Sequence, residues 1–324
     1  MRILVTGGFG FIGSAFIERA ISEEMEVVII DKMTYAADFS NLKGDILKRV
    51  AFFQADISNS VELFSVLDCQ DSFDWIVNFA AESHVDRSIV DGTQFVLTNV
   101  LGVTNLLEYA RKCDRTKFLQ VSTDEVYGSI NEGSWREESA LAPRSPYSAS
   151  KASAELICEA YSTTHDIKTY ISRCSNNFGP RQSSEKLIPK VIRKIQQNEK
   201  IPIYGDGSNR REWIYVYDHI NALMMMIKSE KSNMSRVFNI AGLEMSNISI
   251  VKKIIHLMGG SEDLIQFVDD RPGHDFRYSV SDLRITSELG EYRYADFEYQ
   301  IKETVNWYLM NEDWLARSEN RLTK

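Results

Sequence analysis

The feature that most constrains this chain is a short apolar run, Arg2–Thr6, that ends in Gly7-Gly8-Phe9-Gly10-Phe11-Ile12-Gly13 and passes into a helical pattern from Ser14 to Ser22. Strand, glycine turn and helix in that order form one half of a strand–helix–strand unit. Gly7 permits the tight turn. Gly10 lets the backbone approach a pyrophosphate, and Gly13 lets the helix pack closely on the strand. An anion would sit at the helix N-terminus, where unpaired N–H groups and the dipole favour negative charge.

A second apolar run, Glu26–Ile30, ends at Asp31, 18 residues beyond Gly13. A carboxylate there accepts both hydroxyls of an adenosine ribose and repels a 2′-phosphate, which favours NAD over NADP. The alternation continues. Val50–Gln54 reads as a strand leading to Asp56-Ile57 at the adenine end, and Asn59–Leu67 as a helix. Trp75–Phe79 reads as a strand leading to Ala80-Ala81-Glu82-Ser83-His84, Thr98–Arg111 as an amphipathic helix, and Lys117–Ser122 as a strand. Repeated units of this kind predict an α/β fold: a Rossmann-type doubly wound parallel sheet with ligands at the carboxyl ends of its strands.

The length of 324 residues exceeds what one core fills, so a second, smaller lobe is expected. A net charge of −9 excludes non-specific nucleic-acid binding but allows a basic pocket for a small anion. The four cysteines (Cys69, Cys113, Cys158, Cys174) show no metal spacing, and neither do His165, His219 and His256. No metal site is expected. With neither a signal peptide nor a long apolar span, a cytoplasmic protein with no membrane partner is predicted.

The chemistry is expected in Val121–Lys151. Thr123, Asp124 and Glu125 leave the fifth strand at the ligand edge, and Tyr147 and Lys151 stand four apart, on one face of a helix. An ammonium beside a phenol favours the phenolate, which makes Tyr147 a candidate base. Two adjacent carboxyls supply an acid and a base if their surroundings push their pKa values apart.

The pattern TGGxGFIG with YxxxK resembles the extended short-chain dehydrogenase/reductase family. The segments AAESHVDRSI, STDEVYG, PYSASKA, SNNFGP, EKLIP and DRPGHD are similar to those of the dTDP-glucose 4,6-dehydratases, in order from Met1 to about Trp314. The resemblance implies a tightly bound NAD held by Gly7, Gly10, Phe11, Ile12, Gly13, Asp31, Lys32, Thr34, Asp56, Ile57, Phe79, Ala80, Ala81, Ser83, Thr98, Tyr147, Lys151 and Asn177. It implies a nucleotide-diphosphate hexose held by Ser83, His84, Thr123, Asn176, Lys186, Leu187, Pro202, Ile203, Tyr204, Arg211, Asn247, Arg271 and His274. In that chemistry Tyr147, Lys151 and Thr123 serve oxidation at carbon 4. Glu125 takes the proton from carbon 5, Asp124 protonates the departing 6-hydroxyl, and hydride returns to carbon 6. Residues 1–176 would form the NAD domain, joined by a returning segment at about 212–242. Residues 177–324 would mainly form an α+β nucleotide-sugar lobe.

In the second half, helices are predicted at Lys190–Gln197, Asp218–Lys228 and Phe297–Met310, and strands at Ile201–Gly205, Trp213–Val216 and Val237–Ala241. Asn176–Pro180 reads as a polar turn, Asp86-Arg87 as a structural ion pair, and Asn247 as a residue holding phosphate or a neighbouring loop. Departures from the resemblance are Arg181-Gln182-Ser183-Ser184, where Arg181 adds charge near the nucleotide, Phe178 in place of Tyr, and Glu212 in place of Asp. They leave a UDP- or other nucleotide-linked hexose open. A 4-epimerase or uronate decarboxylase would share the oxidation but need no adjacent acid–base pair, and a silent NAD-binding relative would be missing a catalytic residue. The resemblance also implies a homodimer pairing Thr98–Arg111 and Ser148–His165 with their copies.

Overall fold

A computed structural model describes residues 1–113, 115–231, 234–270, 274–293 and 295–322. The strands in chain order are β1 (Arg2–Thr6), β2 (Glu26–Asp31), β3 (Val50–Gln54), β4 (Trp75–Asn78), β5 (Lys117–Thr123), β6 (Thr169–Cys174), β7 (Asn176–Phe178), β8 (Ile201–Tyr204), β9 (Arg210–Tyr215), β10 (Val237–Ile240), β11 (Leu243–Ser246) and β12 (Ile265–Val268). Seven of them form one sheet in the order β10-β6-β5-β4-β1-β2-β3, every pair parallel. The order reverses between β1 and β4, which opens a crevice at the carboxyl edge, as the doubly wound reading predicts.

The strands read as unbroken apolar runs because both faces of the sheet are covered. Ile3, Val5, Val27 and Ile29 point into one layer with the helices Phe11–Ser22 and Val216–Lys228. Leu4, Val28, Ile30 and Ile76 point into the other with the helices Ser60–Leu67, Gly102–Arg111 and Pro146–His165. Each fully buried Ile, Leu or Val contributes roughly 1.5–3 kcal/mol. Met224 and Met226 are buried in the first layer.

The smaller lobe holds a three-stranded sheet, β11-β9-β7, and a two-stranded one, β12-β8. Its core joins Phe178, Ile192, Ile203 and Trp213 to the helices Leu187–Gln196, Asn247–Leu257, Phe297–Met310 and Glu312–Leu322. Two expectations are corrected. Asn176–Phe178 is a strand, not a turn, because it pairs in parallel with Trp213–Tyr215. The strand expected at Trp213–Val216 starts at Arg210 and belongs to the small sheet, where it runs antiparallel to β11.

The helix Glu312–Leu322 returns to the first half of the chain. Trp314 donates its indole N–H to Asn41 Oδ1 at 2.9 Å, and Arg321 reaches the Tyr35 carbonyl at 3.2 Å and Asp38 at 2.5 Å. Arg181 corrects another expectation. It sits at φ +70° and pairs bidentately with Glu18 at 2.7 and 2.6 Å, so its charge is held against the helix Phe11–Ser22. Among the described residues, no helix is long and apolar enough to cross a membrane, and no group of His, Cys, Asp and Glu could hold a metal ion.

Candidate active site

The glycine turn has the shape its residues require. Gly7 stands at φ +70°, and a Cβ there would lie 2.6 Å from the Ala80 nitrogen; a Cβ on Gly13 would meet the Gly7 carbonyl oxygen at 2.3 Å. Gly10 precedes the helix, which starts at Phe11, earlier than the Ser14 expected. A Cβ on Gly10 would come within 3.3 Å of the Gly7 carbonyl oxygen, and the bare backbone there suits the approach of a phosphate to the helix N-terminus. Asp31 closes the adjacent strand. One carboxylate oxygen accepts the Phe9 N–H at 2.9 Å and the other the Met33 N–H at 2.8 Å. Each can accept a second hydrogen bond from a ribose hydroxyl. Burial pushes this carboxyl's pKa up, against those two N–H groups. Lys32 and Asp56 form an ion pair at 2.6 Å, and Ile57 is buried with its carbonyl taken by Asn105. This constellation fits a dinucleotide with free ribose hydroxyls.

Beyond β4, Phe79-Ala80 abuts Gly7, and the next turn is held by a residue that pattern reading missed. Asn99 accepts the Glu82 N–H and donates to the Glu82 carbonyl, each at 2.9 Å, and donates to Ser150 at 2.8 Å. It projects from a π turn, Leu97–Leu101, that contains Thr98 and replaces the regular start expected for Thr98–Arg111. One extra residue per turn alters the direction in which the side chains leave the helix.

The catalytic candidates converge where β5 ends. Thr123 caps a 3-10 turn, Asp124–Tyr127, by accepting the Glu125 N–H at 3.3 Å. Asp124 is therefore not the cap. Its side chain is enclosed, with Oδ1 accepting from Thr123 at 3.2 Å and Oδ2 buried without a hydrogen-bond partner among the described residues. Burial first, then Glu125 and Glu212, push its pKa well above the carboxylate range, while Arg211 and Thr123 pull it back. Glu125 is half-buried. The helix Pro146–His165 starts from a capping box in which Ser145 and Ser148 satisfy each other's backbone N–H, with Pro146 in the first turn. That start fixes Tyr147 and Lys151 on one face.

The Tyr147 phenol is hydrogen-bonded by Thr123, and burial together with Glu125 and Cys174 pushes its pKa well above the ordinary value. Lys151 donates to the Val121 carbonyl at 2.6 Å, and burial lowers its pKa to about 8. Below it Ser122 bonds Glu155, Glu155 pairs with Arg173 at 2.7 Å, and Arg173 reaches the Tyr127 hydroxyl at 2.5 Å. This buried network had no sequence signal, since its members lie far apart in the chain.

A profile of the family described as GDP-mannose 4,6 dehydratase matches residues 4–304. The chain belongs to that family. Among its relatives, a low-salt glycan biosynthesis protein, Agl12 of Haloferax volcanii, is 47% identical over 97% of this chain and 100% of its own. A dTDP-glucose 4,6-dehydratase of Streptomyces niveus is 41% identical over 97% of this chain and 94% of its own. DesIV of Streptomyces venezuelae, a dTDP-glucose 4,6-dehydratase crystallised with NAD bound, superposes with a TM-score of 0.93 at 40% identity, over 98% of this chain and 100% of that one. The resemblance to the dTDP-glucose 4,6-dehydratases is borne out.

The residues that family likeness assigns to the sugar nucleotide are distributed unevenly. Lys186 donates to the Ser83 carbonyl at 2.9 Å, and His84 Nε2 lies 3.6 Å from Glu185. Arg87 pairs with Glu185 at 3.5 Å, which corrects the Asp86-Arg87 pair. Asn176 Oδ1 is buried without a partner among the described residues. The Asn177 amide donates to Cys174 Sγ and the Ser175 carbonyl, and its Oδ1 meets His219, so that side chain is already engaged within the protein. Leu187 and Ile203 pack into the lobe core, which leaves Ile203 only its backbone for a ligand. Pro202 is half-buried, and Tyr204 is exposed, edge-on to His274 at 6.2 Å. His274 Nδ1 is 2.6 Å from Asp270. Arg211 is buried against the Tyr278 ring and donates to the carbonyls of Arg210, Asp275 and Phe276. Asn247 donates its backbone N–H to Asn209. Arg271 lies outside the described residues.

Proposed function

We propose that the chain is an NAD-dependent nucleotide-sugar 4,6-dehydratase that converts dTDP-glucose to dTDP-4-keto-6-deoxyglucose. The observation that carries this reading is Asp124, an enclosed carboxyl with an unpartnered oxygen and a raised pKa, next to the half-buried Glu125. A 4-epimerase has no use for that pair. NAD bound on Gly7–Gly13 and Asp31 supplies a hydride acceptor for carbon 4 and, once reduced, the donor for carbon 6.

The protein's own groups move the protons. Tyr147 acts only once deprotonated, which the Lys151 ammonium and the positive charge that a bound NAD would bring favour against its burial; as the phenolate it takes the proton of the 4-hydroxyl while Thr123 bonds the same oxygen. The resulting ketone acidifies carbon 5. Glu125 removes that proton, Asp124 gives its proton to the 6-hydroxyl, and water leaves. Glu125 then returns a proton to carbon 5. Tyr147 ends one proton richer and Asp124 one poorer, and the Thr123 hydroxyl lies between them. Lys186, Arg211 and Arg271 serve the diphosphate. We assign residues 1–176, with a returning segment that begins after β9 at Val216 and ends at about 242, to the cofactor, and the remainder of 177–324 to the sugar nucleotide.

The test is to incubate the protein with dTDP-, UDP- and GDP-linked hexoses and follow product mass. Loss of one water without added reductant supports the reading; a mass-neutral isomer or loss of carbon dioxide overturns it. Glu125→Gln should still oxidise carbon 4, seen as a transient reduced-nicotinamide absorbance, yet release no water.

We also propose a cytoplasmic homodimer. Val96, Leu101 and Leu156 are 55%, 42% and 58% exposed around the two helices expected to pair, and the four cysteines are all thiols. A monomer by light scattering at micromolar concentration would remove the dimer.

A further inference from the structure

The turn that leaves β2 and the short helix Val85–Val90 that follows β4 touch each other although β1 separates the two strands. Two strand spacings amount to roughly 10 Å, and the glycine turn leaves the sheet between them. Across that gap the Arg87 guanidinium stacks 3.9 Å from the centroid of the Tyr35 ring. A third segment, from the smaller lobe, closes on both. Arg87 Nη2 lies 3.5 Å from Glu185 Oε2, and the Tyr35 hydroxyl hydrogen-bonds the same carboxylate. His84 approaches that oxygen at 3.6 Å, and the neighbouring Lys186 ties down the Ser83 carbonyl. The Glu185 side chain is 9% exposed, although it carries charge and belongs to a turn. Burial there pushes the carboxyl's pKa up, and it pushes the Tyr35 phenol up too, which keeps the tyrosine a proton donor at neutral pH.

Three segments far apart in sequence therefore meet across the strand that delivers the glycine turn. Such an arrangement is costly to build, since a buried carboxylate must be paired to be tolerated. It would hinder a cofactor that exchanged at every turnover. It suits one that ends each cycle as it began.

We propose that Tyr35, Arg87 and Glu185 form a clasp over the dinucleotide groove that retains NAD from one turnover to the next, with Glu185 as the positioning residue that draws the smaller lobe onto it. The inference rests on NAD being the cofactor that the proposed dehydratase regenerates. Retention is measured independently of any sugar, so failure to find a substrate would leave it standing.

The experiment compares full-length wild type, Glu185→Ala, Glu185→Gln and Tyr35→Phe after gel filtration. NAD released by acid is quantified per chain, and the rate of NAD loss is followed during dilution into NAD-free buffer. Wild type should keep close to one NAD per chain. Glu185→Ala should lose it at least tenfold faster, with Glu185→Gln and Tyr35→Phe in between, because each keeps part of the hydrogen-bonded set. Activity of Glu185→Ala should then rise with added NAD and saturate, while NAD-stripped wild type and variant unfold at the same urea midpoint. Two results would overturn the clasp. One is wild-type retention in Glu185→Ala. The other is loss of NAD with a lowered midpoint in the stripped variant and no recovery at saturating NAD, which would make Glu185 a fold residue.

Discussion

Replacing Lys151 by methionine separates the cost of burying its charge from the use made of that charge. The ammonium is enclosed, and burial brings its pKa from 10.5 down to about 8, against the opposing pull of Cys174, Glu155 and Cys158. At about 1.36 kcal/mol for each tenfold change in proton affinity, the depression is worth about 3 kcal/mol. Below pH 8 the amine is protonated in the folded and the unfolded chain alike, so the folded state bears the full penalty. Between pH 8 and 10.5 the unfolded chain keeps a proton that the folded chain has shed, so this group's contribution to stability rises with pH across that window. Methionine has a similar length and no charge, and its lost hydrogen bond to Val121 costs an amount independent of pH. Urea unfolding of cofactor-stripped protein from pH 7 to pH 10.5 should therefore show the variant at its greatest relative advantage at pH 7, declining by about 3 kcal/mol toward pH 10.5. Turnover at pH 7 should fall by roughly 10²–10⁴-fold. Stability curves that run parallel would refute the desolvated ammonium, and full turnover would refute its partnership with Tyr147.

Asp124→Asn keeps the shape of the side chain but has no acidic proton to give; water loss should slow by roughly 10²–10⁴-fold while the transient at carbon 4 persists in stopped-flow absorbance. Gly7→Ala forces a Cβ to 2.6 Å from the Ala80 nitrogen at φ +70°. It should cost roughly 1–3 kcal/mol of backbone strain and lower the NAD content, checked by thermal unfolding and by nucleotide released on denaturation. Arg181→Met leaves the Glu18 carboxylate facing a site built for a guanidinium and should cost roughly 3–5 kcal/mol in urea unfolding. The double variant with Glu18→Gln should recover most of that loss, and no recovery would mean that the pair is not the source.

Much of the larger sheet could be read in advance because its strands are buried on both faces, and Val27–Ile30 or Trp75–Val77 then stand out as unbroken apolar runs. Gly7 and Asp31 were legible for a different reason: a turn at positive φ and a carboxylate at a strand end are local demands, met by one residue type each. In the smaller lobe the strands are three to six residues long, and β11 and β12 left no clear pattern. The site divided in the same way. Thr123, Asp124, Glu125, Tyr147 and Lys151 stand within one stretch, and their spacing singled them out as candidates. Asn99, Glu155, Arg173 and Glu185 act through partners 17 to 150 residues away, and a charged or amide residue carries no local mark of such a partner. Arg181 misled because its neighbours in sequence face the nucleotide lobe, whereas its left-handed backbone turns the side chain toward Glu18.

The helix Glu312–Leu322 has a bearing on the order in which the molecule can be completed. Its contacts with Tyr35, Asp38 and Asn41 join residues up to 286 positions apart. A ribosome adding 5–20 residues per second needs roughly 15–60 s to cover that interval. During that time the turn after β2 exists without its support, while the helices that cover β1 and β2, the last of them Val216–Lys228, are being completed. A nascent chain would thus acquire the sheet well before the ribose end of the groove is set. A nonsense mutation near codon 312 would be felt first as loss of nucleotide rather than loss of the sheet.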